Sequence, residues 1–159
     1  MARTLLFSAV VLSITLWGCA AQPPRMLTEA TCQSTSCKIK IDASACDSGG
    51  VPSVDIDKIH VKGNHNVQLV WEVQHARWEL RLGKSILLKD PTGDPTGQFS
   101  DKFLLGNNDQ PDPNLKKGKK MQWKDANILV DVNEFAYKII LFDSNDRTCT
   151  LDPLINNDG

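Results

Sequence analysis

The chain has 159 residues, with 18 Lys and Arg against 19 Asp and Glu, which gives a formal net charge of −1. This balance gives no support to nucleic-acid binding, because proteins that bind nucleic acid are usually strongly basic. The length and the 41% of hydrophobic residues suit one domain with a sizeable core.

The N-terminus has the layout of an export signal. Arg3 precedes an apolar run from Leu5 to Trp17. That run is shorter than the roughly 20 residues that a membrane-spanning helix needs. We therefore expect residues 1–18 to be a signal peptide.

The end of this run, Leu16-Trp17-Gly18-Cys19, resembles the lipobox of bacterial lipoproteins, although Trp17 is bulkier than the residue usual there. The resemblance implies cleavage before Cys19 and acylation of its thiol. Ala20 follows the cysteine, which resembles the class sorted to the outer membrane, facing the periplasm. The alternative is an ordinary secretory signal that is cut near Ala20 or Ala21.

The segment after the cysteine predicts a linker. Residues 19–31 contain Pro23-Pro24 and little apolar periodicity, so we expect a lipidated tether there. Residues 32–159 form the expected folded domain.

Four cysteines remain, which is an even number and fits an oxidising compartment. An extended strand after Cys37 would hold it more than about 20 Å from Cys46, whereas a disulfide needs Cα atoms within about 7 Å. We therefore prefer Cys32–Cys37 with Cys46–Cys149. The second choice is Cys32–Cys46 with Cys37–Cys149. A zinc site is not expected, because the spacing lacks paired C-x₂-C units.

Short stretches of alternating apolar and polar residues, separated by turn residues, predict an all-β protein. We expect an antiparallel β-sandwich of seven to eight strands, immunoglobulin-like or cupredoxin-like, stapled by disulfides. The expected strands are Cys37–Asp42, Val54–Val61 with a bend near Lys58, Val67–Val73, Trp78–Leu82, Met121–Trp123, Phe135–Phe142 and Thr148–Leu151. Ser85–Leu88 and Ile128–Val132 are further short runs. Phe99–Leu105 is either a bent strand or one helical turn, and Asp152-Pro153 is expected to end the last strand.

Several of these segments resemble small exported β-sandwich proteins of unknown function in proteobacteria. The resemblance covers most of residues 37–156 and implies a fold but no activity. The segments that carry it are Cys37–Cys46, Val67–Trp71, Trp123–Asn127, Tyr137–Ile139, Cys149 and Asp152–Asn156.

The histidines raise the question of copper. His60, His65 and His75, with Met121 or Cys149, could imitate a blue-copper site. Blue-copper proteins, however, bring Cys, His and Met together in a C-terminal loop, and no His or Met follows Cys149. We expect surface histidines and no metal or other cofactor.

Catalytic signatures are missing from the sequence. It has no G-x-S-x-G elbow, and Gly83-Lys84-Ser85 lacks the earlier glycine of a phosphate-binding loop. We expect no enzyme.

Lys116, Lys117, Lys119 and Lys120 form the main charge cluster. Near an anionic membrane surface each lysine is worth about 1 kcal/mol, so these four are the candidate surface contact. A solvated loop that protects a strand edge is the alternative. The loops Asp90–Gly97 and Gly106–Asn114 are further candidate contacts.

The functional expectation is a membrane-anchored periplasmic lipoprotein that acts as a non-enzymatic binding or envelope-accessory module. The membrane is contacted through the N-terminal lipid, and an envelope protein or peptidoglycan is the expected partner. One alternative is a periplasmic lysozyme inhibitor that plugs a cleft with Asp90–Gly97. A cupredoxin-like metal carrier is the other.

Overall fold

A computed structural model of the chain describes residues 28–62, 66–90, 94, 97–127 and 134–157, without the side chain of residue 156. These residues form an all-β fold, as predicted, with one 3₁₀ turn at Ser44–Ser48. The strands are β1 Glu29–Cys32, β2 Ser36–Asp42, β3 Ser53–Val54, β4 Lys58–Val61, β5 Val67–Val73, β6 Leu80–Arg81, β7 Ile86–Leu88, β8 Phe99–Leu104, β9 Lys117–Gly118, β10 Lys120–Asp125, β11 Glu134–Phe142, β12 Thr148–Leu151 and β13 Leu154–Asn157.

The strands assemble into two main sheets. One has the order β1-β4-β13-β11-β12, with β7 also paired to β11, and the other has the order β3-β2-β5-β10-β8. The short strands β6 and β9 form a separate ribbon. Aromatic side chains from both sheets meet in the core, so the architecture is a β-sandwich.

The sheets are mixed, which corrects the expectation of purely antiparallel pairing. The pairs β1–β4, β4–β13 and β2–β5 run parallel, and the other pairs are antiparallel. The period-2 pattern of a strand shows which residues face the core. It does not show the direction of the neighbouring strand, so sequence periodicity could not reveal these parallel pairs.

The thirteen described strands exceed the predicted seven or eight. The predicted strand Val54–Val61 is divided between β3 in one sheet and β4 in the other. The segment predicted as a tether, residues 19–31, contains the start of β1, which pairs with β4.

Asp152-Pro153 does end the strand Thr148–Leu151, as predicted, but that strand is not the last one in the chain. Pro153 lacks the N–H of a ladder donor, but its carbonyl accepts a 3.2 Å hydrogen bond from the Tyr137 amide. The chain then continues as β13, where Ile155 is fully buried. The short run Ile128–Val132 lies outside the described residues.

The core is built around Trp71 on β5. Its ring lies 5.4 Å from Trp123 on the neighbouring strand and 5.6 Å from Tyr137 on the opposite sheet, both in edge-to-face geometry. Phe99 and Phe135 make a second contact between the sheets at 5.1 Å. These aromatic pairs join the two layers, and Trp71, Trp78 and Trp123 are all buried.

Two disulfides staple the sandwich with the preferred pairing. Cys32 bonds to Cys37 and Cys46 bonds to Cys149, with Cα atoms 5.8 and 5.9 Å apart. The first closes the short turn between β1 and β2. The second joins the 3₁₀ turn to β12, across a sequence separation of 103.

Within the part of the chain that the structure describes, no helix is long and apolar enough to span a membrane.

Candidate functional site

Two of the three loops expected to contact a partner lie together in the structure. The loop after β8 and the strands β9 and β10 enclose a groove of about 430 Å³, which we call the lysine groove. Its lining residues are Leu105, Gly106, Asn107, Asp112, Leu115, Lys117, Gly118, Lys119 and Lys120. The lining contains three of the four predicted contact lysines, and Lys116 adjoins it in the chain.

The side chain of Lys119 makes hydrogen bonds within the chain. Its ammonium group donates hydrogen bonds to the backbone carbonyls of His75 and Ala76, at 2.9 and 2.8 Å, and to that of Trp78. These carbonyls belong to the segment that follows β5. Partial burial lowers the pKa of Lys119. This lysine therefore fixes a loop, although the sequence presents it as part of a basic surface.

Lys120 is also engaged within the chain. Its ammonium group lies 2.6 Å from the carboxylate of Asp109 and 3.6 Å from that of Glu72. The hydrogen bond to Asp109 raises the pKa of Lys120, and the same bond lowers the pKa of Asp109. The lysine and Asp109 thus form a neutral pair at the groove.

Lys116 and Lys117 are more open to a partner. The side chain of Lys117 is 65% exposed, with Glu79 at 3.6 Å, a distance at which an exposed pair contributes little. Lys116 is exposed, and its side chain has no ion pair or hydrogen bond with any other residue that the structure describes. The predicted four-lysine surface is therefore reduced to two available ammonium groups.

A second charged network lies near the Cys46–Cys149 disulfide. The buried carboxylate of Asp143 accepts hydrogen bonds from Arg77 Nη2 at 3.1 Å and Arg147 Nε at 2.8 Å. It also accepts from the backbone amides of Asn145 and Arg147. Burial alone would raise the pKa of Asp143, but the hydrogen bonds from Arg147 and these amides outweigh burial and lower it to about 2. Because both oxygens of the Asp143 carboxylate already accept hydrogen bonds within the chain, we interpret Asp143 as a structural residue.

The residues considered for copper are not brought together. His60 lies 3.3 Å from Glu29, whereas His75 lies 3.5 Å from Asp47. Met121 is in the core and Cys149 is in a disulfide, while His65 lies outside the described residues. Among the residues that are described, no three His, Cys, Asp or Glu side chains form a group that could hold a metal ion.

A third polar group, which the sequence did not suggest, lies at the opposite end of the sandwich from Cys46. It contains Asp94, Gln98, Asp125 and Asn157, and we call it the amide–carboxylate cluster. Asn157 Nδ2 donates to Asp125 Oδ1 at 3.2 Å and lies 3.4 Å from Gln98 Oε1. Asp94 accepts from the backbone amides of Gln98 and Phe99, at 3.0 and 2.6 Å.

Asp125 is the electrostatic centre of this cluster. Its Oδ1 also accepts from the Asn127 amide at 2.8 Å. Burial raises the pKa of Asp125 to about 6, and the negative charge of Asp94 adds to the increase. Its members come from three separate segments of the chain, with Asp94 and Gln98 in one loop, so no single local motif could have revealed the cluster. The one local signal in the sequence is Asp125, a carboxylate at the end of the largely buried strand β10.

Cys19 lies outside the described residues, and so does most of the loop Asp90–Gly97. In comparisons with known proteins, no family model and no curated protein sequence matches the chain.

Proposed function

We propose that the chain is a non-enzymatic binding or envelope-accessory module, held by a lipid on Cys19 at the periplasmic face of the outer membrane. The pairing of the cysteines carries this proposal. The chain has five cysteines, and the two disulfides use four of them. Cys19 is the one outside both bonds, and it follows the lipobox-like Leu16-Trp17-Gly18. Stable disulfides also fit an exported protein.

The lysine groove is the proposed binding surface, and its chemistry supports an envelope partner with anionic and apolar groups. Leu105 and Leu115 supply apolar lining, and Lys117 contributes an exposed ammonium group. An envelope protein or peptidoglycan fits this description. The lysozyme-inhibitor alternative rests on a loop that lies mostly outside the described residues. Of the two further copper ligands considered, Cys149 is in a disulfide and Met121 is in the core.

Metabolic labelling tests the anchor. In bacteria that are fed labelled palmitate, the wild-type chain is expected to carry the label and to sediment with membranes. Cys19→Ser should lose the label and appear in the soluble periplasmic fraction. The paired variant Cys32→Ala/Cys37→Ala is the control for other thiols and should keep the label. Label that survives Cys19→Ser would refute the anchor.

Co-sedimentation with purified sacculi, together with cross-linking in intact cells, tests the binding surface. Lys116→Glu/Lys117→Glu should weaken capture of the partner at least about thirtyfold, since the two lysines together are worth about 2 kcal/mol near an anionic surface. Lys84→Glu/Lys89→Glu makes the same charge change at exposed lysines outside the groove lining. Equal loss in both variants would mean that net charge, and not the groove, controls capture.

A further inference from the structure

Two oxygens of the amide–carboxylate cluster lack the partners that buried oxygens normally have. Asp125 is 0% exposed and Asn157 is 1% exposed. Asp125 Oδ2 and Asn157 Oδ1 are both sealed from solvent, and neither has a hydrogen-bond partner among the described residues. Buried polar atoms in native proteins are nearly always paired, so each of these atoms requires an explanation.

Of the two oxygens, the carboxylate oxygen of Asp125 costs more free energy to bury without a partner. A buried carboxylate is costly unless a cation or several donors compensate it. Asp125 Oδ1 has two donors, but Asp125 forms no ion pair with a Lys, Arg or His that the structure describes. Asp94 brings a second negative charge close enough to affect Asp125. The cluster therefore places a second carboxylate near the buried charge of Asp125, which increases the cost of burying that charge.

We propose that the amide–carboxylate cluster binds a hard divalent cation of the calcium class, with Asp125 Oδ2 and Asn157 Oδ1 as ligands. Calcium takes its ligands from carboxylate and amide oxygens, which are the atoms collected here. Thiolate and imidazole ligands, which favour softer metals, are not part of the cluster. A cation would occupy both unpartnered oxygens and offset the charges of Asp125 and Asp94.

The composition of the cluster also indicates the strength of binding. Calcium affinity grows with the number of charged ligands, and this cluster supplies two carboxylates, of which Asp94 already caps two backbone amides. We therefore expect a dissociation constant on the order of 10⁻⁴–10⁻³ M, as in extracellular calcium modules.

Thermal unfolding of the full chain in detergent, first treated with EDTA and then titrated with calcium chloride, tests the proposal. At roughly 10 mM calcium the wild type should gain about 3–10 °C in Tm, from the expected dissociation constant and the size of the domain. No calcium-dependent gain would overturn the proposal. That result would assign the two oxygens to a buried water or to a protonated carboxyl group.

Asp125→Asn tests whether the carboxylate charge is needed for calcium binding, because it keeps the shape of the side chain and removes its charge. This variant should lose the calcium-dependent gain and be at least as stable as the wild type in EDTA. Asp152→Asn makes the same change at an exposed carboxylate that pairs with Lys89, and it should keep the full gain. A calcium-dependent gain in Asp125→Asn equal to that of the wild type would also overturn the proposal.

Terbium luminescence of the wild type provides a measurement that does not depend on a variant that folds. Terbium, a calcium mimic, should give emission excited through the buried tryptophans, and added calcium should displace it. Trp123, two residues before Asp125, is the nearest tryptophan in the sequence. Absence of emission, or emission that calcium does not reduce, would overturn the proposal.

Discussion

At Asp143, burial and hydrogen bonding act in opposite directions on one carboxyl group. Burial favours the neutral acid, whereas Arg77, Arg147 and two backbone amides favour the carboxylate. The hydrogen bonds prevail, and the pKa falls from 3.8 to about 2. A depressed pKa in the folded state means that this stabilisation is complete above the unfolded value of 3.8 and is lost as the pH falls toward 2.

The first prediction concerns the acid stability of this carboxylate. Asp143→Asn should lower Tm by several degrees at pH 7, because Arg77 and Arg147 lose their anion. The variant should also lose less stability than the wild type between pH 4 and pH 2. Thermal unfolding followed by circular dichroism across that range checks both effects. Asp152→Asn, at an exposed pair, is the control, and an acid response in Asp143→Asn identical to the wild type would contradict the prediction.

The second prediction concerns the buried hydrogen bond between Trp71 and Tyr137. Trp71 Nε1 donates to the Tyr137 hydroxyl at 3.2 Å, and burial raises the pKa of Tyr137. Tyr137→Phe leaves the indole N–H buried without an acceptor, so it should cost about 1–3 kcal/mol in the free energy of unfolding. Urea unfolding measures this cost.

A double-mutant cycle with Trp71→Phe separates the hydrogen bond from the packing of the rings. The double variant should lose about 1 kcal/mol less than the sum of the two single variants, because the bond can be lost only once. Strict additivity would show that the bond contributes nothing measurable.

At the scale of elements, strands in which apolar and polar residues clearly alternate were predictable from the sequence. In β11 every second side chain from Phe135 to Leu141 is buried, and β12 was predicted with its observed limits. The strands β1 and β13 were missed for a physical reason. Their pairing depends on distant residues, with β4 parallel to both, and their short sequences carry weak local signals.

For the candidate sites too, local features were predictable from the sequence, whereas contacts between distant segments were not. A run of lysines in the sequence predicts a basic surface, but the partners of Lys119 and Lys120 come from distant segments. Three backbone carbonyls after β5 hold Lys119, while Glu72 and Asp109 hold Lys120. The charge of a surface depends on such partners, which only the fold brings into contact. The amide–carboxylate cluster depends on the fold to an even greater extent.

The third prediction compares the two disulfides. In the chain-entropy model, the stabilisation by a disulfide grows with the length of the loop it closes. The sequence separations are 5 for Cys32–Cys37 and 103 for Cys46–Cys149. Cys46→Ala/Cys149→Ala should therefore cost about 2–3 kcal/mol more in the free energy of unfolding than Cys32→Ala/Cys37→Ala. Urea unfolding of the two paired variants makes the comparison, and equal or reversed costs would contradict it.

At the scale of the whole molecule, the C-terminal strand holds the larger sheet together. β13 lies between β4 and β11, parallel to the first and antiparallel to the second. Without β13, the pair β1–β4 would have no hydrogen-bonded neighbour among the strands that the structure describes. A strand that bridges two halves of a sheet differs from an edge strand, because its loss exposes two rows of unpaired backbone groups.

The last prediction follows from this central position. A chain that ends at Asp152 should fail to fold cooperatively, because it loses the fully buried Ile155 and the ladders to both neighbours. A chain that ends at Asn157 retains all of β13 and should unfold as the intact protein does. Tryptophan fluorescence during urea unfolding distinguishes the two chains, since Trp71 and Trp123 report on the core. A sigmoidal transition with the wild-type midpoint in the shorter chain would show that β13 is dispensable and that the packing of the two layers alone retains β1 and β4.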